Sequence, residues 1–498
     1  MRAIDQDTIE RGHTQAMPAR LPLLLLGASL ALASCASDSD DREDPVIRAP
    51  KPVTLPVLAG CEAEFFGVCD VLDPACQERV FSSMQCLRGM PDAQLPELRV
   101  ISTEQYEAEL RDYPPDEPDV LVQNHVYERA LELLGLAMSG ELSDDSYVEL
   151  YTETVPAYYS DQTGVVTLVD DGGSQPDDPG QATLTLAHEF VHALQDQDTS
   201  LTALYQATTT FDDTLALMGM VEGEAAMLES FATAQLWGFA QNPDFRTHYT
   251  SWVPATEASF EGQSPLLVSQ RYFPYSYGAR FVFDVFSVGG IQNVRTRLGA
   301  PPTSVLPMLL SEDALVEPEL ESLAGLGAPE ALSGFELMWT DTLGPWVFGK
   351  FLERVVSVLG ESDLRNNWRG DRFFVYSQTE QTVTVLWTLR FDDAAHAQEL
   401  LRLLELKQSP LLLQLADRAF YSLSGSDLTI GVMEDPSARP DWTAALESAE
   451  REWSAVSAAS SDLSAAPGAK GLPTGAAARL WRALSRQPRA GLTRGTWR

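Results

Sequence analysis

Positive charge is what this chain most lacks. Its 498 residues carry 34 lysines and arginines against 72 aspartates and glutamates, a formal net charge of −38. Seven of those cations lie beyond Asp462 with no acid among them, which leaves 27 against 72, or −45, for everything before. A body so acidic repels phosphate backbones, so nucleic acid is excluded as the main partner, and the surplus reads as a solvated surface. Long apolar runs are also missing. The stretch 21–33 is 13 residues long, short of the ~20 that a membrane-spanning helix needs. The five cysteines form no CxxC pair, which argues against a zinc site made of thiolates. Histidine is sparse too, with six in all: His13, His125, His188, His192, His248 and His396. No internal repeat is evident.

The apolar run has the length of a secretory-signal core. It leads into Leu32-Ala33-Ser34-Cys35, which resembles a bacterial lipobox. The resemblance implies that residues 1–34 are a signal peptide, that Cys35 becomes the lipidated first residue, and that Ala36 directs the anchored lipoprotein to the outer membrane. Residues 1–16 are long and acidic for a leader, whereas Met17-Pro18-Ala19-Arg20 makes a short basic start, so translation is expected to begin at Met17. A flexible Asp-, Ser- and Pro-rich tether follows over 35–55. Cys61, Cys69, Cys76 and Cys86 then form an even set within 26 residues. Two disulfides in an oxidising compartment are expected, with all three pairings open. This stapled segment spans 56–92.

Residues 93–330 are expected to form one domain. It opens with a strand over 98–101 and a helix over 124–138, where apolar positions recur at helical spacing. Two β-rich runs around a turn cluster over 157–169 predict a hairpin. A helix over 213–234 and an aromatic-rich segment over 271–278 come later. Residues 335–450 read as a small α+β module, with strands over 373–376, 383–389 and 428–432 and a helix over 393–406. Residues 455–498 are Ala-, Ser- and Arg-rich and read as a disordered tail. The expected fold class is α+β, mostly helical with a small sheet and an edge hairpin.

Chemistry concentrates in Thr185-Leu186-Ala187-His188-Glu189-Phe190-Val191-His192-Ala193-Leu194. Two histidines at i and i+4 share one helix face and can reach one ion, with Glu189 placed to meet a water on it. Zinc lowers the pKa of such a water from about 15.7 toward about 7, so Glu189 can serve as general base. A catalytic zinc wants a third protein ligand, and Glu222-Gly223-Glu224-Ala225 offers two carboxylates, the first 30 positions past His192. They are about 200° apart around a helix, so only one can face the ion.

The decapeptide around His188 resembles the zincin consensus, and Glu-Gly-x-Ala is similar to the segment that carries the glutamate ligand in gluzincin-clan metallopeptidases. Tyr158 to Asp161 with Gly164, His192 to Gln197, Pro274-Tyr275 with Gly278, Pro301 to Ser304 and Trp368 to Arg372 extend the resemblance. Together they resemble exported prokaryotic gluzincin-like lipoproteins over roughly 95–375. The resemblance implies a zincin-like fold, zinc (Zn2+) as cofactor, and His188, His192 and Glu222 as its ligands. Two departures stand out. The gap between His192 and Glu222 is longer than in thermolysin-like enzymes, and Ala226 stands where an Asp would orient an imidazole. Asp196 and the Asp212-Asp213 pair are the substitutes the sequence offers. An oxyanion donor is expected from Tyr275, Tyr277 or His248.

These residues lead to one expectation: a lipid-anchored zinc metallopeptidase that hydrolyses peptide bonds in the bacterial envelope. Its partners would be a peptide or protein substrate and, through the anchor, a membrane. The alternative is a zincin-like scaffold that binds zinc or a partner protein without turnover. A third reading makes it a structural lipoprotein with buried histidines.

Overall fold

A computed structural model of the protein describes residues 67–438, apart from 113–117, 141–147, 150, 153–154, 171–178, 237–244, 260–263, 311–333, 356–360, 380–381 and 407–408. The leader, lipobox Cys35, the tether, Cys61 and the tail over 455–498 lie outside the described residues. Everything described falls in one of the chain's two units, Pro52–Arg498.

Helix α1 (Pro74–Arg88) starts at Asp73, whose side chain accepts from the Ala75 amide, and stops at Gly89, which takes a left-handed φ of 70°. The Cys69–Cys76 disulfide ties its first turn to the preceding loop, and Cys86 is disulfide-bonded as well. Strand β1 (Glu97–Ser102) passes into α2 (Thr103–Arg111) through a reciprocal cap between Ser102 and Gln105. Helix α3 (Pro118–Leu133) starts and stops earlier than its apolar spacing suggests. The spacing misleads because Leu134 and Leu136 stay in the core although Gly135, at φ 66°, has already turned the chain.

The hairpin forms from β2 (Ala157–Ser160) and β3 (Val165–Asp170). β1 joins β3 in parallel, so the order is β1-β3-β2, with β2 at the edge among the described residues. Next come α4 (Pro179–Asp198), α5 (Leu201–Ala207), α6 (Phe211–Leu236), α7 (Phe245–Ser259) and α8 (Pro265–Phe273). A π-helical turn, Pro274–Gly278, carries α8 into α9 (Ala279–Leu298), which breaks at Gly289 and Gly290. The short α10 (Leu306–Leu309) closes this part.

The remaining chain builds an antiparallel sheet of β4 (Glu336–Asp341), β5 (Trp368–Thr379), β6 (Thr382–Phe391), β7 (Ala419–Ser424) and β8 (Asp427–Met433), in the order β4-β5-β6-β8-β7. Helices α11 (Gly344–Val355), α12 (Glu361–Asn366), α13 (Ala394–Glu405) and α14 (Pro410–Leu415) flank it. The strands expected over 373–376, 383–389 and 428–432 lie within β5, β6 and β8. The architecture is thus α+β, with helices dominating two small sheets. No helix among the described residues is long and apolar enough to cross a membrane.

Hydrophobic packing runs without interruption from the helices into the second sheet. Tyr127 of α3 lies 4.9 Å, centroid to centroid, from Trp339 of β4. Buried carboxylates stitch the junction. Asp341 accepts from the Phe211 amide at 2.9 Å, the Thr342 amide at 2.7 Å and the Tyr127 hydroxyl at 3.2 Å. Asp371 accepts from the Leu343 and Gly344 amides at 3.0 Å each and from Trp387 Nε1 at 3.2 Å. Two of the segments quoted for the resemblance, 301–304 and 368–372, therefore serve this junction: the Ser304 side chain hydrogen-bonds Asp212, and Asp371 caps the start of α11.

Burial pushes Asp341 up to about 6 and Asp371 up to about 7, against the pull of the amides that donate to them. Each stabilises fully while protonated, below about pH 4, and loses that contribution as pH rises through its folded value. Asp341→Asn keeps an oxygen for the Phe211 and Thr342 amides but removes the titration. Thermal melts are expected to show a flatter loss of stability between about pH 4 and 6 in the variant, by on the order of 3 kcal/mol; parallel curves would contradict a buried, protonated Asp341.

Candidate metal centre

Every residue of α4 from Thr183 to Gln195 is buried. A helix enclosed on all sides must match its polar groups internally, because an unpaired charge in the interior costs several kcal/mol. The His188 and His192 rings stand 4.8 Å apart on one face, as i and i+4 spacing requires. Helix α6, apolar around most of its circumference, crosses that face and delivers Glu222. Its Oε2 lies 3.2 Å from His188 Nε2 and 3.4 Å from His192 Nε2.

Those separations test whether a metal fits. Two bonds of about 2.0–2.1 Å opening at the tetrahedral angle hold their ligand atoms roughly 3.3 Å apart. The glutamate-to-imidazole spacings match that value, and the three ligand atoms all lie within 4.8 Å of one another. Two imidazoles and one carboxylate make a donor set suited to zinc. Glu189 lies buried next to His188, and Glu229 is buried beside the same ring. Two carboxylates thus meet the imidazoles in a buried site, with a third, Glu189, buried on the same helix as the histidines, an arrangement a divalent cation would neutralise. Glu222 therefore joins the histidines, while Glu224 points to the far side, 2.9 Å from Arg88 Nε.

Burial lowers the affinity of His188 for a proton, but the hydrogen bonds to Glu222 and Glu229 outweigh it and raise the group to about 10. Without metal the imidazolium is the cation between these carboxylates. A metal ion that takes its place releases the proton.

The carboxylates expected to orient the imidazoles are occupied elsewhere. Asp196 accepts from the Tyr159 hydroxyl and the Leu201 amide, both at 2.8 Å. Asp212 holds the Val305 amide, and Asp213 caps α6 by accepting from the Thr209 and Thr210 amides. Glu229 takes the role for His188, with its Oε2 3.1 Å from Nδ1. It stands seven residues after Glu222, two turns along the same helix, so i,i+7 spacing was the signal that could have found it. For His192 the partner is no carboxylate: Gln195 Oε1 lies 2.8 Å from its Nδ1. Gln195 Nε2 donates to Val221 O and to Glu224 Oε2, each at 2.9 Å. Both of those are acceptors, so the amide has one orientation, Oε1 must accept from His192, and Nε2 of the ring faces the ion position.

Of the three oxyanion candidates, Tyr275 stacks on a histidine of the site. Tyr275, in the π turn, is stacked on His188 at 6.0 Å between centroids. Tyr277 stacks instead on Phe273 at 5.2 Å and meets Trp346 edge-on, and His248 stacks on Trp252. Glycine places Tyr275. A methyl on Gly223 would meet the Gly278 carbonyl carbon at 2.5 Å, and one on Gly278 would meet Gly219 O at 2.3 Å. The π turn and α6 thus cross backbone to backbone, which explains why glycine follows Glu222.

A second group, Asp392, Asp393 and His396, also brings three potential ligand atoms together, but at the surface. Asp393 caps α13 through the Ala395 and His396 amides, and both carboxylates pair with the His396 ring, which accounts for the cluster. None of the protein-family models, curated proteins or solved structures compared with the chain matches it.

Glu222→Ala is expected to abolish stoichiometric zinc binding at micromolar metal. Glu229→Leu, which removes only the partner of His188, is expected to retain zinc with about 10–100-fold weaker affinity. Chelator competition distinguishes the two; the reverse order would place the third ligand at Glu229.

Proposed function

We propose that the protein is a zinc metallopeptidase of gluzincin type with a zincin-like fold, lipid-anchored through Cys35 in the bacterial envelope. The observation that carries this reading is the convergence of His188 Nε2, His192 Nε2 and Glu222 Oε2 at the spacing of a tetrahedral ion. A bound zinc would acidify a water to a pKa of about 7 and polarise a substrate carbonyl. Glu189 would hold and move the proton there, as the general base toward that water and then as the acid that returns the proton to the leaving amine. Tyr275, whose ring stacks on His188, would supply the donor to the oxyanion. Glu229 and Gln195 hold the ligand imidazoles in orientation.

A peptide substrate is favoured over other amides and esters by β2. This edge strand is tied to α4 through the 2.8 Å bond from Tyr159 to Asp196, and an edge strand pairs with an extended chain through main-chain hydrogen bonds. The metal helix and the strand that would hold substrate are thus fixed to each other.

One observation favours the alternative of a zinc-binding scaffold without turnover: His188, Glu189 and His192 are 0% exposed and Glu222 only 3%. Glu189→Gln separates the readings. The variant is expected to keep zinc and to lose 10²- to 10⁴-fold in peptide-library cleavage; a wild type that holds zinc yet cleaves no faster than the variant would establish the scaffold.

A further inference from the structure

The described part of the cysteine-stapled segment, which lies before the region of resemblance, packs along the back of α4. At one end the Cys69 amide and carbonyl both meet Thr183 Oγ1, at 3.3 and 3.2 Å. Midway, Phe81 of α1 meets Phe190, inside the HExxH sequence, edge-on at 5.2 Å. Just past the segment's end the Gln94 amide donates to Gln197 Oε1 at 2.8 Å, and the Gln197 amide returns a bond to Gln94 O at 2.7 Å. The last residue of α1, Arg88, is fully buried between these contacts.

Its guanidinium is forked. Nε donates to Glu224 Oε1 at 2.9 Å, and a terminal nitrogen donates to the Leu194 carbonyl at 2.9 Å and lies 3.2 Å from Asp198. Asp198 is gripped from its other side by Arg295 at 2.7 Å. Glu224 is wholly buried and ion-paired with Arg88, and its second oxygen accepts from Gln195 Nε2. That contact, with Val221 O, turns the Gln195 amide so that Oε1 accepts from His192 Nδ1.

We infer that Arg88 is a positioning residue of the metal centre, acting through Glu224 and Gln195 on the orientation of His192, and that the stapled helix α1 is thereby a working part of the site. The inference rests on the reading of His188, His192 and Glu222 as metal ligands. It also gives Glu224 a role. The second carboxylate of the Glu-Gly-Glu sequence is the acceptor that sets the Gln195 amide, and Arg88 is the cation that allows that acceptor to be buried. A guanidinium suits the place better than an ammonium, because one planar fork serves a carboxylate and a carbonyl together.

The test uses the full exported chain, with zinc affinity from chelator competition, the visible spectrum of the Co2+-loaded protein, and melting of the metal-free form. Arg88→Met is expected to weaken zinc about 10–100-fold and to change the cobalt bands. A buried carboxylate left without its cation also threatens folding, so Arg88→Met combined with Glu224→Leu is the deciding variant. With neither charge present its metal-free form is expected to melt near wild type, yet zinc stays about 10–100-fold weaker because Gln195 keeps only Val221 O of its two acceptors. Arg88→Lys, which keeps the charge, is expected to recover part of the affinity lost in Arg88→Met. A double variant that binds zinc and cobalt as wild type does would overturn the inference and leave the ligand assignment standing, as would a lysine variant no better than methionine. A wild type that takes up no more zinc than His188→Ala would sink the ligand assignment and the inference with it.

Discussion

A single carboxylate oxygen, Oε2 of Glu222, stands between two imidazole nitrogens at 3.2 and 3.4 Å inside a helix pair closed to solvent. Bringing these groups together costs desolvation on both sides, and only a cation between them recovers it. In the metal-free protein the proton on His188 serves, between Glu222 and Glu229. The position of α6 against α4 follows from this requirement. The packing of Gly219 and Gly223 against Gly278 brings the helices and the π turn close enough for Glu222 and Tyr275 to reach the histidines.

The second requirement is that the polar groups around the two histidines be matched, and the protein meets it in two different ways. His188 leans on a carboxylate from the same helix as Glu222. His192 leans on an amide whose orientation is set by Val221 O and Glu224, with Arg88 behind them. His188 is therefore supported directly from α6, and His192 through Gln195 of its own helix, with α6 and then the stapled helix behind it. Disulfides at Cys76 and Cys86 bracket most of α1, so the element carrying Arg88 is fixed at both ends.

Much of the site was legible in the chain because helical spacing is local. His188, Glu189 and His192 are linked by the 3.6-residue turn, and the hairpin over 157–169 by a turn cluster at Gly164. Glu222 could be named only with the help of family resemblance, since periodicity left it and Glu224 on equal terms. The partners of the imidazoles were not legible. Glu229 becomes a partner only once α6 has crossed α4, and Arg88 is 136 residues from the glutamate it neutralises. The aspartates nearest the motif cap α6 and hold the Tyr159 hydroxyl instead. Tyr275 could not be told from Tyr277 because a π turn, not an α-helix, sets which ring faces His188. The junction with the second sheet escaped for the same reason: Asp341 and Asp371 carry no motif, and their partners come from α3, α6, β6 and the start of α11.

Diffraction from crystals grown with zinc, recorded on both sides of the zinc absorption edge, tests the central claim most directly. The account predicts one anomalous peak about 2.0–2.2 Å from His188 Nε2, His192 Nε2 and a Glu222 oxygen, with the fourth position held by solvent. A peak elsewhere, or a fourth protein atom closing the shell, would contradict it.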